Sequence, residues 1–302
     1  MRILLTGATG FIGAHVARAL IDRGVEVHAM TLPGASRYRI ADVASQLELL
    51  EGDLADASWV SDAIGSIAPD AAIHLAWYAE PRSYLRAVPE NLTSLRGGIN
   101  LLEALARGGT CRRVVVAGTC LENLDTPAPT IYAAAKAAQH HLAGGFAEGS
   151  MSAACAHIHY LYGPWEDERR VIPTVTRSLL RGEQIDVTDG LQSRDYLHVA
   201  DVADALCRIV ESDLTGRVDV CTGTPVRLRD VFEEIARATG KPELLRIGAL
   251  AGSETMAWPA TGDPAALLST GWRPRYDLPQ GIQETTAWWA TRDRINQRRN
   301  RP

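Results

Sequence analysis

Apolar residues follow two rhythms along this chain. Short apolar runs rich in Ile, Leu, Val and Ala alternate with longer stretches where apolar positions recur every three or four residues. The runs predict strands at 2–6, 25–31, 47–50, 71–76, 113–118 and 154–160. The longer stretches predict helices near 11–23, 57–66, 91–108 and 131–147. Near-continuous apolar strands separated by helices imply a parallel sheet covered on both faces, and right-handed crossovers make it a doubly wound α/β fold. The rhythm changes after Pro164. Charged and proline-bearing segments follow, with a short strand-like Gln184-Ile185-Asp186-Val187 and a helix pattern at 228–239. Residues 1–163, with roughly 195–222, are expected to form the sheet domain. Residues 164–194 and 223–302 are expected to form a smaller α/β C-terminal lobe, which interleaves with the sheet because no linker composition separates them.

The first strand runs directly into Thr6-Gly7-Ala8-Thr9-Gly10-Phe11-Ile12-Gly13 and a helix pattern (Phe11, Ile12, Val16, Leu20). A strand, a glycine turn and a helix start gather backbone N–H groups at the positive end of a helix, which suits a pyrophosphate. Gly7 serves the tight turn, Gly10 leaves room for phosphate, and Gly13 lets the helix close on the strand. The spacing is G-x-x-G-x-x-G, one residue longer than the ordinary G-x-G-x-x-G. A glycine turn in any α/β protein has a similar look. Its place between strand and helix favours dinucleotide binding by Gly7, Thr9, Gly10, Phe11 and Ile12, and with it a Rossmann fold.

Composition narrows the classes. The chain has 302 residues, 46% hydrophobic and 22% charged, with a formal net charge of −5. That acidic balance leaves no electrostatic footprint for nucleic acid, and the basic run from Arg292 to Arg301 reads as a solvated end. No apolar run approaches a membrane span, and no signal peptide precedes the first strand. The five cysteines (Cys111, Cys120, Cys155, Cys207, Cys221) show no metal spacing, so thiols in a reducing cytoplasm are expected. Helices 91–108 and 131–147 carry apolar or small residues on more than one face (Leu92, Leu95, Ile99, Leu102; Ala134, Ala135, Ala138, Leu142). A second apolar face needs a cover, which predicts a homodimer.

Candidate chemistry sits where open sheets bind ligands, at the carboxyl ends of strands. The fifth strand ends in Ala117-Gly118-Thr119, and Tyr132 and Lys136 follow at the head of a helix. Four residues apart, they project from one helix face. A nearby ammonium favours a phenolate, so Lys136 is expected to lower the Tyr132 pKa toward acid–base work. A threonine hydroxyl at the strand end can hydrogen-bond a reacting oxygen. Y-x-x-x-K alone is weak. With the glycine loop and Thr119 in order, chance becomes a poor explanation.

Gly7 to Gly13, Thr119, Tyr132 and Lys136 together resemble the extended short-chain dehydrogenase/reductases, in particular the nucleotide-sugar epimerase/dehydratase/reductase group. The resemblance spans nearly the whole chain. Ile73-His74-Leu75-Ala76 is similar to the segment beside the cofactor, and Gly52-Asp53-Leu54 to the segment whose aspartate reaches the adenine. Asn91 and Asn100-Leu101-Leu102-Glu103-Ala104 resemble the helix bordering the catalytic strand. Tyr162-Gly163-Pro164, the stretch Arg194 to Val202, and Gly271-Trp272-Arg273-Pro274 resemble later signatures. The resemblance implies a nucleotide-diphosphate sugar substrate. Tyr132 would exchange a proton with the sugar oxygen, Lys136 would hold the nicotinamide ribose, and Thr119 would orient the oxygen. Asp53, Leu54, Leu75 and Ala76 would line the cofactor, and Arg194 would neutralise part of the diphosphate. Plainer readings stand beside these. Arg194 could pair with Asp195 or Asp201, Asp53 could cap the next helix, and His74 and His198 fit packing roles. His140-His141 have no partner at metal spacing.

Two departures narrow the activity. The 4,6-dehydratases of the family carry an Asp-Glu pair directly after the threonine. Here Cys120 and Leu121 stand there, with Glu122 one place later, so water elimination is disfavoured. Where the family presents an asparagine to the diphosphate, this chain has Tyr160. The end of the second strand (Ala29 to Arg39) lacks the acid that NAD enzymes place on the ribose, while Arg37 or Arg39 could meet a 2′-phosphate. NADP(H) is therefore favoured over NAD(H). The leading expectation is an NADPH-dependent ketoreductase of a nucleotide-linked 4-keto-6-deoxyhexose. An NAD-dependent 4-epimerase is second, and a non-catalytic NAD(P)-sensing regulator third.

Overall fold

The computed structural model describes residues 1–122, 130–147, 151–252 and 260–299. The end of the basic run, beyond residue 299, lies outside the described residues. In chain order the elements are β1 (Arg2–Thr6), α1 (Phe11–Asp22), β2 (Glu26–Thr31), β3 (Glu48–Glu51), α2 (Ala57–Ile67), β4 (Ala71–His74), α3 (Val88–Gly108) and β5 (Arg113–Thr119). Then come α4 (Ile131–Phe146), β6 (Ser152–Ile158), β7 (Tyr160–Tyr162), α5 (Val171–Arg181), β8 (Ile185–Val187), β9 (Ser193–Arg194) and β10 (Tyr196–His198). The remainder are α6 (Val199–Glu211), β11 (Gly216–Val220), β12 (Val226–Arg227), α7 (Leu228–Thr239), β13 (Leu245–Ile247), α8 (Ala265–Ser269) and α9 (Leu278–Arg299). Two compact units result: 1–158 with 202–220 and 264–272, and 159–201 with 221–263 and 273–302.

In the first unit seven parallel strands form one sheet, ordered β11-β6-β5-β4-β1-β2-β3. This is the doubly wound fold expected. The chain builds outward from β1 to β3, then returns to the other side of β1 with β4. That reversal opens a crevice at the carboxyl ends of β1 and β4. β5 is buried along its whole length, which explains its unbroken apolar run. One face of the sheet packs Leu4, Ala72, Val114 and Val116 against Ile64 of α2 and Leu101 and Leu105 of α3. Asp56 caps α2 by accepting the Ser58 and Trp59 N–H groups.

Two strand ends differ from the sequence expectation. β4 stops at His74: the Leu75 N–H is shared between the Thr6 carbonyl at 3.3 Å and the Thr6 hydroxyl at 3.2 Å, and that hydroxyl also accepts the Ala76 N–H at 3.1 Å. The run 154–160 divides: β6 ends at Ile158, and Tyr160 starts a new pair by donating to the Asp195 carbonyl.

The second unit has three two-stranded pairs, β7 with β10, β9 with β12, and β8 with β13. Its core joins Tyr162, Ile172, Leu179, Phe232, Ile235 and Ile282. Strands this short cannot hold a loop-rich lobe through ladders alone. Buried carboxylates take over. Asp195 accepts the Thr222 N–H and hydroxyl, the Gly223 N–H and the Thr261 hydroxyl. Asp201 accepts the N–H groups of Arg275 and Tyr276. Each buried charge is thereby repaid in hydrogen bonds.

Candidate active site

The glycine loop lies in the crevice of the first unit. Gly7 has φ +76, and a Cβ there would meet the Ala76 N at 2.8 Å. The loop therefore crosses the end of β4 in direct backbone contact. Gly13 admits no side chain either, since a Cβ would run into the Gly7 carbonyl. These two positions press the start of α1 onto the turn. α1 has no side-chain cap and no acid in its first turn, so its leading N–H groups and positive end face the loop unopposed. Gly10, Phe11 and Ile12 head that helix and Thr9 precedes it, all half-buried. A tight glycine turn beside an uncapped helix start fits a dinucleotide pyrophosphate.

The catalytic candidates come together on the same unit. The Tyr132 hydroxyl is hydrogen-bonded to the Thr119 side chain. Lys136 is buried, donates from Nζ to the Ala117 carbonyl at 2.9 Å, and lies 3.9 Å over the Trp77 ring. The Tyr132 ring meets Tyr84 and Trp77 edge-on, with centroids 4.9 and 6.4 Å apart. The Asn91 side chain, fully buried, accepts the Trp77 indole N–H and donates to the carbonyls of Tyr84 and Ala87. Asn91 thus sets the aromatic wall that encloses the pair. The sequence reading noted Asn91 but missed Trp77, whose place just after the fourth-strand segment was its one signal.

Burial corrects one expectation. The Tyr132 phenol is raised, first by burial and then by Tyr84, with only the Thr119 hydroxyl acting against this. Lys136 is not among the groups that lower it. Burial instead pulls Lys136 down to about 8, against the pull of Glu122 and Cys155. His74, fully desolvated, is held at about 3 and stays neutral, with Nδ1 2.7 Å from the Thr6 hydroxyl.

Glu122 occupies an unexpected place. Its Oε1 accepts the Thr119 N–H at 2.6 Å, and its Oε2 lies 2.9 Å from His157 Nε2 and 3.5 Å from His140 Nδ1. Burial alone would push this carboxyl up, yet His140, His157 and the Thr119 N–H hold it at about 2. Glu122, His140, Cys155 and His157 bring one donor atom each within 4.8 Å of one another. No sequence spacing announces this cluster, because the turn after β5, α4 and β6 each supply part of it.

Beyond the end of β2, Arg37 pairs with Glu51 at 2.5 Å. Glu51 reaches it because β3 aligns Glu51 with Thr31, the last residue of β2. Arg39 instead lies over the Tyr38 ring and approaches the Thr9 carbonyl at 3.5 Å, beside the glycine loop. Asp53 accepts the Ala55 N–H within the turn; the helix cap weighed for it against adenine contact belongs instead to Asp56. The Leu54 carbonyl accepts the Asn100 amide at 2.9 Å, fixing this segment to α3. Leu75 and Ala76 lie under Gly7.

In the second unit, Arg194 stacks 5.2 Å over Tyr160 and donates to the Ser193 carbonyl. Asp195 and Asp201, the partners weighed for it, are engaged with backbone N–H groups elsewhere in this unit. His198 is buried, 2.8 Å from Glu284 and stacked near Tyr276, a packing role.

A Rossmann sheet with a glycine cradle and a Thr–Tyr–Lys group defines an NAD(P)-dependent oxidoreductase of the extended short-chain type. The profile of the NAD dependent epimerase/dehydratase family matches residues 3–221, and the chain belongs to that family of nucleotide-sugar enzymes. It is 28% identical to a UDP-glucose 4-epimerase of Mycolicibacterium smegmatis, over 96% of this chain and 98% of that one. It is 26% identical to a dTDP-4-dehydro-6-deoxy-D-allose reductase of a Streptomyces species, over 95% of each. The crystal structure of Thermus thermophilus UDP-glucose 4-epimerase with NAD superimposes with a TM-score of 0.84 at 27% identity, covering 96% of this chain and 99% of that one.

The cradle gives a direct test. Gly13→Val drives a branched side chain into the Gly7 carbonyl and should lift α1 off the loop. Calorimetry should show NAD(P)H affinity reduced at least about 100-fold, since several N–H contacts to phosphate are lost together. Near-wild-type affinity in a folded variant refutes the placement.

Proposed function

We propose that this chain is an NADPH-dependent ketoreductase acting on a nucleotide-linked 4-keto-6-deoxyhexose. The carrying observation is the end of β5. Thr119, Tyr132 and Lys136 form a proton-delivery group, while Cys120 and Leu121 replace the acid pair of the dehydratases. Glu122 is buried against His157 and the Thr119 N–H, so it supplies no acid or base for water loss. What remains is redox chemistry at a sugar carbon. The glycine cradle would hold the cofactor, whose nicotinamide supplies the hydride. Tyr132, kept protonated by burial, delivers its proton as negative charge grows on the carbonyl oxygen. Thr119 holds that oxygen, and the Lys136 ammonium stabilises the phenolate left behind. Arg194, backed by Tyr160, is the proposed diphosphate contact.

The reductase reading over the epimerase rests on the cofactor end. β2 finishes without an acid, Arg37 neutralises Glu51, and Arg39 stands beside the glycine loop. A 2′-phosphate suits that charge, and a cofactor consumed at each turnover must exchange. Likeness to the Streptomyces reductase agrees. A 4-epimerase is the second reading, favoured by the likeness to the Thermus enzyme, whose structure holds NAD. It would retain NAD through purification and consume no NADPH. A non-catalytic sensor has no use for the Thr119–Tyr132–Lys136 group.

We also propose a homodimer in the cytoplasm. Val88 and Leu92 of α3 and Leu142 of α4 are exposed, and α3 packs on α4, so a two-fold pair would bury them. All five cysteines are buried thiols, in keeping with a reducing compartment. No described helix is long and apolar enough to cross a membrane.

Three measurements check these readings. Offered a panel of nucleoside-diphospho-4-keto-6-deoxyhexoses with NADPH, the wild type should add two hydrogens by mass. Tyr132→Phe should lose about 10² or more in turnover while keeping cofactor affinity; undiminished turnover, or a dehydrated product, sinks the assignment. In titrations, NADPH should bind more tightly than NADH, and Arg39→Ala should erase most of the difference. An NADH preference in the wild type overturns the cofactor choice. Light scattering at micromolar concentration should give twice the chain mass, and a clean monomer contradicts the dimer.

A further inference from the structure

Resting on the reading of Tyr132 and Lys136 as the catalytic pair, we propose that Glu122 is their positioning residue. Pinned by His157 and His140, it fixes the end of β5 through the Thr119 N–H and lays one buried negative charge within reach of Lys136.

The geometry is over-determined. The Glu122 side chain is 1% exposed: Oε1 accepts the Thr119 N–H of β5, while Oε2 lies 2.9 Å from His157 Nε2 of β6 and 3.5 Å from His140 Nδ1 of α4, which are themselves 3.3 Å apart. Gly118 makes the reach possible: a Cβ there would meet Glu122 Oε1 and Cys155 Sγ at 2.7 Å. The strand therefore carries glycine beside Thr119 where the carboxylate folds back. A short bond to the Thr119 N–H sets the peptide from which the Thr119 hydroxyl projects to Tyr132. A buried charged network replaced whole by packed apolar residues often costs a fold little, so stability alone gives no reason for a charge here. Lys136 gives one. Its ammonium is buried against a carbonyl and an aromatic face, neither of which carries a full negative charge.

Other groups face the pair from every side. His74 approaches from β4 and is neutral, and Cys155 approaches from β6 with its thiol pushed up by burial. Tyr84 and Trp77 come from the segment between β4 and α3, and Cys120 from the end of β5. Around Glu122 itself stand His140, His157 and Arg217 of β11, the last paired with Asp219. Among the described groups acting on Lys136, Glu122 is the carboxylate. The sign of its effect is fixed. Burial draws Lys136 down to about 8 while Glu122 opposes it, so removing the negative charge must draw it further down. A ketone reduction needs both Lys136 and Tyr132 protonated, so its alkaline limb would move to lower pH.

The chain contains two lysines, Lys136 and Lys241, which makes the test direct. Selectively 15Nζ/13Cε-labelled lysine is titrated by NMR in wild type, Glu122→Gln and Glu122→Asp, with Lys241 of the second unit, whose Nζ donates to the Leu180 carbonyl, as internal reference. The Lys136 midpoint should lie near about 8 in the wild type. It should fall by about one unit or more in Glu122→Gln and stay near wild type in Glu122→Asp. An unmoved midpoint in folded Glu122→Gln overturns the proposal. A second measurement needs no variant: the wild-type Thr119 amide proton should resonate far downfield and exchange slowly, and loop-like exchange overturns the anchor. Co2+ is the third arm. A one-to-one thiolate-to-metal absorption band lost in Cys155→Ser and equally in Glu122→Gln would make Glu122 a ligand and overturn the positioning role; no such band, or one that survives Glu122→Gln, supports it. None of these uses substrate, so a failed ketone panel leaves them standing, and their failure leaves the ketoreductase reading intact.

Discussion

Lys136 carries its ammonium 4% exposed, between the Ala117 carbonyl and the face of Trp77. A charge so placed forfeits water, and its surroundings must return part of that cost. Much of the first unit follows from this. β5 ends where a carbonyl can point at Nζ. Asn91, fully buried in α3, is spent on orienting the Trp77 indole. Glu122 folds back under Thr119, and Gly118 is the gap through which it does so. Each piece is costly alone. Together they hold a cation, a phenol and a hydroxyl in one place, with little left to reorganise when a reaction begins.

The sheet supplies the second half of the site through its topology. β4 returns beside β1 after the chain has built out to β3, and the crevice this leaves is crossed by the glycine loop. Thr6 links the two sides. Its hydroxyl accepts the Leu75 and Ala76 N–H groups while lying 2.7 Å from His74. β4 thus stops early and turns its next residues under Gly7. The same neighbourhood positions the cofactor cradle, through Gly7, and His74, which faces Lys136. His74 must be neutral there, and burial makes it so.

The first unit was legible in the sequence because parallel strands buried on both faces write themselves as unbroken apolar runs. Residues 113–118 and 131–147 were readable as strand and helix, and the Thr119–Tyr132–Lys136 group follows from that placement. The second unit was less legible. β9 and β12 have two residues each, too short for any period, and their hold comes from Asp195, whose partners Thr222 and Thr261 lie far along the chain. The place of Glu122 was hidden for a similar reason. As a letter it is an acid one place too late; only the fold reveals His157 and His140 as its partners. Arg37 and Arg39 look equivalent in sequence. The register of β2 on β3 separates them, because it brings Glu51 to Arg37 and leaves Arg39 beside the loop. The phenol shift failed in sign because spacing gives proximity to a lysine but says nothing of desolvation, which here outweighs it.

The family's chemistries share one hydroxyl–phenol–ammonium group and diverge in what stands next to it. A carboxylic acid pair facing the sugar adds elimination to oxidation. In this chain the carboxylate nearest in sequence is spent inward, on the Thr119 N–H and two histidines, and is held at about 2, far too weak a conjugate base to take up a sugar proton near neutral pH. Cys120, buried beside it, offers no replacement acid at the surface of the site. The proton ledger at the reacting centre therefore closes on Tyr132 alone. One proton donor balances one oxygen that gains or loses a proton as its carbon is reduced or oxidised. That stoichiometry is what the proposed redox at a single carbon requires. Net reduction and epimerisation then differ in whether the cofactor leaves after each turnover or stays bound to take the hydride back.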